Sequence, residues 1–254
     1  MKRSVLMFFL FCLASFPLLA QDQQQDDELL PPSRSVSAKM GGAGGLTPFY
    51  LYMDVGPINE VLRRSNASEF DNGHMLLLGG QGYAYIYVVK NLRVGGMGVS
   101  GNMKSRSLMG STRREVQMKV GFGGVTVDYV IPVVPRLDVA LGIMLGSGGV
   151  DLTINRDNGT AKVWNDLWSE YGDSLAAEEY TRKMSGSFFV YQPSMNVEFA
   201  LLRWIGLRAG VSYIGMAGGS WQLDDKYDIY GVPSSVSGKG WAINAGVFLG
   251  TFLY

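Results

Sequence analysis

Cysteine and histidine are almost absent from this chain of 254 residues, which has one of each. The one cysteine, Cys12, lies in an apolar N-terminal run, so the rest of the chain has no thiol for a disulfide or a structural zinc site. Neither sign of charge is in excess, because 22 Lys and Arg residues balance 22 Asp and Glu residues. A nucleic-acid-binding protein needs a basic surface that this balance does not supply. We therefore expect no cofactor, no metal and no nucleic-acid partner.

Long apolar runs are also missing, except at the N-terminus. Lys2 and Arg3 precede the apolar run 5–20, and a polar stretch follows Ala20 at once. This order predicts a secretory signal peptide over residues 1–20. Residues 21–34 are polar and contain a Pro pair, which predicts a flexible leader. No later run of 18 apolar residues occurs, so we expect no membrane-spanning helix in the remaining domain, residues 35–254.

What the sequence has in abundance is glycine, with 34 residues, and a strict alternation of apolar and polar positions. Between Leu137 and Leu145, for example, every second residue is a large aliphatic, as expected for a β-strand with one apolar face. The same pattern predicts seven strands and, with a less regular first segment, an eighth. The predicted strands are 36–53, 76–89, 92–104, 115–131, 137–155, 186–202, 205–223 and 240–254.

The links between these segments alternate between short and long. Short links fall at 90–91, 131–136 and 202–205, whereas long polar links fall at roughly 104–114, 156–185 and 223–239. This rhythm is typical of an up-and-down antiparallel transmembrane β-barrel of about eight strands. Several strands exceed the ~9–11 residues that cross a bilayer, so the walls should extend past the outer leaflet. Two long links are predicted to carry short loop helices, at 56–64 and 165–184.

These features together resemble the small bacterial outer-membrane barrels of the OmpA/OmpX type. The last strand ends in Phe248-Leu-Gly-Thr-Phe-Leu-Tyr254, which is similar to the C-terminal strand signal of that family. The resemblance implies location in the outer membrane, contact with its lipid, and recognition of the last strand by the barrel assembly machinery. It also implies that the loops 105–114, 156–185 and 223–239 face the exterior, where an extracellular partner would bind.

Five charged residues lie on the polar face of the strands, two to five positions from a short link. At ~3.3 Å per residue they should reach one depth in the lumen. Buried charges are tolerated only when paired, so we predict an ionic belt that closes the lower lumen. An ion-conducting constriction is the alternative. The predicted belt consists of Arg93, Asp128, Asp138, Glu198 and Arg208.

Aromatic residues cluster near the predicted strand ends, as in the two interfacial girdles of membrane barrels. The predicted girdle consists of Tyr129, Trp204, Phe252 and Tyr254 at the short-link end, with Trp221 and Trp241 at the long-loop end.

Above the predicted belt, glycine groups interrupt most strands. The apolar phase flips from Phe122 to Val125 and again from Leu145 to Val150. Such a flip predicts a bulge or kink, and glycine would help a narrow barrel to bend there. The alternative is a mid-lumen cavity that holds a small apolar ligand or a segment of the chain.

The function that these patterns favour is passive and non-enzymatic: envelope structure or surface contact through the loops. One alternative is a channel or carrier for small hydrophobic molecules. Another is a lipid-modifying enzyme that uses His74 with Ser65 or Ser68 and the carboxylates of Glu69 and Asp71. A soluble, secreted barrel is a third alternative, and it would bury the apolar faces inside.

Overall fold

The computed structural model describes residues 41–110, 112–157, 180–233 and 235–252. The predicted signal peptide, the leader and most of the predicted 165–184 helix lie outside the described residues, although residues 180–184 belong to a strand. Within the described ranges no helix is long and apolar enough to cross a membrane. The elements are β1 (Gly42–Leu46), β2 (Phe49–Met53), α1 (Gly56–Arg64), β3 (His74–Tyr85), β4 (Leu92–Met109), β5 (Thr112–Val134), β6 (Leu137–Asp157), β7 (Tyr180–Ala200), β8 (Ile205–Leu223), β9 (Tyr227–Ile229) and β10 (Gly240–Gly250).

The strands close into a ring of eight antiparallel wall strands. β1 and β2 together form the first wall strand, and both pair with β3 on one side and β10 on the other. Strands β3 to β8 follow in chain order, and β10 closes the ring by pairing with β8. β9 only extends β8 as a short hairpin. The predicted up-and-down antiparallel barrel is confirmed.

Two prolines interrupt the ladders in different ways. Of the predicted first strand, 36–53, residues 36–40 lie outside the described residues, and the remainder is divided at Thr47 and Pro48 into β1 and β2. Pro193 stays inside β7 and faces Ile143 of β6, but the ladder to β8 skips it, running from Tyr191 to Ser194. Because proline has no N–H to donate, interstrand hydrogen bonds are missing at both positions.

The side-chain alternation continues without a break along β5 and β6, but the apolar residues change sides. In β5, Val116, Val120 and Phe122 point inward and are buried, whereas Val125 and Val127 point outward and are exposed. The pairing register is continuous across both predicted flips. The predicted bulges at 122–125 and 145–150 are therefore wrong. The phase of the apolar residues flips because the outside of the barrel changes from lipid to water.

A band of glycines marks the level of this change. Many of the glycines face one another across neighbouring strands, where the backbones come close together. The facing pairs are Gly80 with Gly98, Gly82 with Gly96, Gly98 with Gly123, Gly124 with Gly146 and Gly121 with Gly149. We call the barrel on the short-turn side of this glycine band the lower half, and the part on the long-loop side the upper half.

The lower half has the exterior of a membrane protein. In β5 the exposed apolar residues run from Val125 to Val133, which is about 26 Å along the strand at ~3.3 Å per residue. Strand tilt reduces this to about 20 Å of height, close to the ~25 Å apolar band of outer-membrane barrels. A closed barrel satisfies all backbone groups of its wall, as a lipid environment demands. The protein is an outer-membrane barrel.

The upper half is built like a soluble barrel, with a hydrophobic interior. Helix α1 covers part of its mouth, where Leu62 is buried and Ile58 packs on the same cluster. Val236, Ser237 and Gly238 fold into the interior, so that a side chain at Gly238 would contact Val120. Of the predicted contact loops, 105–114 is mostly strand, 223–239 partly fills the lumen, and most of 156–185 lies outside the described residues.

Two predicted girdle residues point into the barrel instead. Gly218 has φ +56° and is an extra residue in β8 opposite Phe188 and Phe189. This bulge shifts the alternation by one residue and turns Trp221 inward against Phe188. Phe252 lies two periods of the alternation beyond the inward Phe248 and is likewise buried. The girdle prediction is wrong for Trp221 and Phe252, and Tyr254 lies outside the described residues.

Candidate functional site

Four of the five predicted belt residues form one buried ionic network in the lower lumen. Arg93 is fully buried, and its Nε donates to Asp128 Oδ2 at 2.9 Å while its Nη1 donates to Glu198 Oε2 at 3.1 Å. Arg208 Nη2 donates to the same Asp128 oxygen at 3.3 Å. The residues come from four different strands, so the network ties together opposite walls of the barrel.

Short turns place these side chains at one depth. Arg93 follows the β3–β4 turn and faces Asp128 directly across the β4–β5 ladder, and Glu198 faces Arg208 across β7–β8. The fifth residue, Asp138, is also buried and lies beside Glu198 on β6. A glycine makes room for the network, because a Cβ at Gly142 would stand 1.8 Å from Asp128 Oδ1.

Sequence reasoning missed Tyr83 as a member of this network. Its hydroxyl donates to Glu198 Oε1 at 2.7 Å, and the Arg93 guanidinium carbon lies 3.9 Å from its ring centroid. Below the network, Tyr83 packs with Phe248 and Phe252 in a small hydrophobic cluster. Tyr83 lies on the inward face of β3, two residues before the strand ends at Tyr85, but the predicted strand continues to residue 89, so counting from the predicted turn places Tyr83 too far from the belt.

A layer of neutral polar side chains lies above the network. Gln192 Nε2 donates to Ser212 Oγ at 2.8 Å, and Asn244 Nδ2 donates to Asn196 Oδ1 at 3.1 Å. Gln192 and Asn196 lie on β7 and follow the same period of two as Glu198. The space between this layer, Asp128 and the apolar core above is a cavity of about 10 Å³, which is room for one water molecule. A cavity of this size does not fit the predicted alternative of a mid-lumen ligand site.

The described aromatic residues of the predicted girdle include three that face outward: Tyr129, Trp204 and Trp241 are all exposed. At the upper edge of the apolar band, Trp241 packs edge-on against Tyr213 and faces Tyr52 across the β10–β2 ladder. Tyr50 and Tyr52 in turn contact the ring of His74. Sequence reasoning missed four further girdle positions, Tyr50, Tyr52, Tyr213 and His74. For Tyr50 and Tyr52 the reason is that the first wall strand was poorly delimited.

The residues of the predicted lipid-modifying site are engaged elsewhere. His74 stacks on Tyr50 on the outer surface, with ring centroids 5.6 Å apart. Ser65 Oγ donates to the Val61 carbonyl, and Glu69 accepts a hydrogen bond from Arg63 Nε at 2.9 Å. No hydrogen bond joins His74 to a serine or a carboxylate within the described ranges.

Ion pairs fasten the segments at the upper rim. Arg63 holds the pKa of Glu69 below its usual range, mainly through a side-chain hydrogen bond. At the β8–β9 hairpin, the backbone N–H of Lys183 and the guanidinium of Arg182 lower the pKa of Asp224. Both carboxylates are therefore charged at neutral pH. Glu69 ties α1 to the segment that follows it, and Asp224 ties the β8–β9 turn to β7.

Comparison with known proteins finds similar solved structures but no family. No protein-family model matches the sequence, and no curated protein sequence matches it. Among solved structures, the chain is similar to a major outer membrane protein of Thermus thermophilus (7% identity, TM-score 0.44), covering 83% of this chain and 98% of that one. It is also similar to OprG of Pseudomonas aeruginosa (8% identity, TM-score 0.41), covering 85% and 98% of the two chains. A third similar structure is Ail, the attachment invasion locus protein of Yersinia pestis, in complex with the heparin analogue sucrose octasulfate (8% identity, TM-score 0.41, covering 83% and 96%).

Proposed function

We propose that the protein is a sealed, non-enzymatic outer-membrane barrel that presents a rigid wall and loops at the cell surface. The observation that carries the proposal is the filling of the lumen by successive layers. From below upward these layers are the cluster around Phe248, the ionic network of Arg93, the amide layer of Asn196 and the apolar core of the upper half.

A lumen filled in this way offers no path to ions or small solutes. The charged side chains are held in pairs, and an ion moving past them would have to replace those partners without the help of water. Above them, the apolar core gives a permeating ion no polar contact at all. The ionic network is therefore interpreted as a seal and a brace, in preference to a conducting constriction.

Planar-bilayer recording tests the seal. The purified, refolded protein is expected to insert without giving unit conductance steps in 1 M KCl. A refolded general porin in the same bilayers is the positive control, and insertion is checked independently by the heat-dependent shift of the band in SDS electrophoresis. Steady, reproducible conductance steps from the wild-type barrel would refute the sealed lumen.

Surface contact is the second part of the proposal, and the β4–β5 hairpin supports it. The hairpin lies in the upper half, and its outward face carries four basic residues and one acidic residue: Lys104, Arg106, Arg113, Lys119 and Glu115. Lys104 and Arg106 share the single carboxylate of Glu115. This excess of positive charge favours an anionic partner surface.

Cells that display the protein are expected to bind sulfated-dextran beads more strongly than uncharged dextran beads. Changing Lys104, Arg106 and Arg113 to Gln should lower this binding at least fivefold, and 0.5 M salt should lower it similarly by screening. The matched control changes Arg64, Arg182 and Lys226 to Gln, which removes three exposed basic residues outside the hairpin. Equal loss in the control would argue against the hairpin as the contact face.

A further inference from the structure

A pocket of about 240 Å³ lies between α1 and the upper ends of β5, β6 and β7. One side is formed by α1, through Ile58 and Leu62, and the other by apolar residues of the wall such as Leu152 and Met184. Two arginines, Arg114 and Arg156, also line the pocket, together with Glu115, whose carboxylate is already paired with Lys104 and Arg106. The pocket therefore has an apolar interior and a cationic end.

The two arginines are direct cross-strand partners in the β5–β6 ladder. Like charges in this position repel each other. A nearby group of opposite charge usually offsets such repulsion. Their neighbours have such a group: Arg63 has Glu69, Arg106 has Glu115, and Arg182 has Asp224.

Within the described ranges, neither Arg114 nor Arg156 forms a salt bridge. Arg114 Nη1 donates to the Ser65 carbonyl at 3.0 Å, at the end of α1. Arg156 Nε is shielded from solvent and has no hydrogen-bond partner. A guanidinium N–H that is shielded from water and lacks an acceptor is unfavourable, and an anion bound beside it would supply the acceptor.

We propose that this pocket is a binding site for a small amphiphile with an anionic head group, a carboxylate or a phosphate. The arginine pair holds the head group, and the apolar chain lies between α1 and the wall. On the scale on which about 10–15 Å³ admits one water molecule, a volume of 240 Å³ accommodates a ligand with on the order of ten to fifteen heavy atoms.

The ligand comes from the external medium and not from the bilayer. Val116, at the floor of the pocket, is nine residues above Val125, the upper end of the apolar band on β5. Nine residues correspond to about 30 Å along the strand. The acyl chain of a membrane lipid cannot span this distance without leaving the membrane.

Calorimetric titration of the full barrel in a maltoside detergent tests the site. Octanoate and octyl phosphate, below their own micelle concentrations, are expected to bind with a stoichiometry near one. Octanol, which lacks the charge, and inorganic phosphate, which lacks the chain, should each bind at least tenfold more weakly. Comparable binding of inorganic phosphate would mean that the site recognises the anion alone. That result would overturn the proposal that the ligand is an amphiphile.

The double variant Arg114→Gln/Arg156→Gln should lose at least tenfold in octanoate affinity. Arg182→Gln is the control, because it removes a nearby rim arginine that does not line the pocket. All variants are first checked for the heat-dependent electrophoretic shift, so that a loss of folding is not read as a loss of binding. Absence of saturable octanoate binding to the wild type, or unchanged binding to the double variant, would overturn the proposal.

Discussion

Replacing Arg93 with methionine is expected to lower the free energy of unfolding by about 3–5 kcal/mol, the usual cost of breaking a buried ion pair from one side. Methionine keeps an unbranched chain in the lumen but leaves Glu198 without a cation and Asp128 with only Arg208. Urea unfolding in lipid vesicles, followed by tryptophan fluorescence, measures the loss. Arg182→Met is the matched control: it breaks an ion pair that is 56% exposed on the arginine side and should cost less than about 1 kcal/mol.

A second variant distinguishes the loss of an ion-pair partner from the effect of burying the charged residues themselves. Arg93→Met/Glu198→Met removes the cation together with one of its anions, while Asp128 keeps Arg208. Because well-packed apolar residues often replace a buried ion pair without loss, the double variant should be more stable than Arg93→Met alone. A loss below about 1 kcal/mol for Arg93→Met, or a double variant that is less stable than the single one, would show that the network does not brace the barrel.

The wall of the barrel could be predicted from the sequence because the period of two and the loop rhythm are local signals. In β5 the inward Asp128 and the outward Tyr129 follow directly from the alternation. The belt residues were accessible for the same reason, since counting from a short turn gives depth in the lumen. The hydrogen-bond partner of each charged residue could not be predicted from the sequence. Glu198 and Tyr83, for example, are 115 positions apart in the chain and meet only when the ring closes.

Two of the errors arise where alternation alone does not determine which side a residue faces. Trp221 differs in orientation from Tyr213 only because Gly218 inserts one extra residue between them. At Phe122 and Val125 the opposite holds: the pattern changes but the backbone does not. A change of apolar phase therefore has two possible causes, a bulge or a change of surroundings, and a single sequence does not distinguish them.

The change of surroundings at the glycine band leads to a second large expected effect. Val127→Lys should lower the free energy of unfolding by about 1–3 kcal/mol, because a basic side chain facing lipid costs about 2–4 kcal/mol at the middle of the bilayer and about 0–1 kcal/mol at its edges, and Val127 lies between the two. Val127 is 39% exposed, and it faces Val94 and Ile143 on the adjacent strands, so the lysine meets only apolar neighbours. The measurement is again urea unfolding in vesicles.

Gln117→Lys is the matched control, on the same strand and the same outward face, ten residues above Val127 and beyond the glycine band. Its cross-strand neighbours, Lys104 and Thr153, belong to the polar exterior of the upper half, so the change should cost less than about 1 kcal/mol. Equal losses for the two variants in vesicles would contradict a membrane boundary at the glycine band. The difference should shrink in urea unfolding from a short-chain detergent, where a mobile micelle adapts to the new charge, because the penalty at Val127 comes from the lipid and not from packing within the barrel.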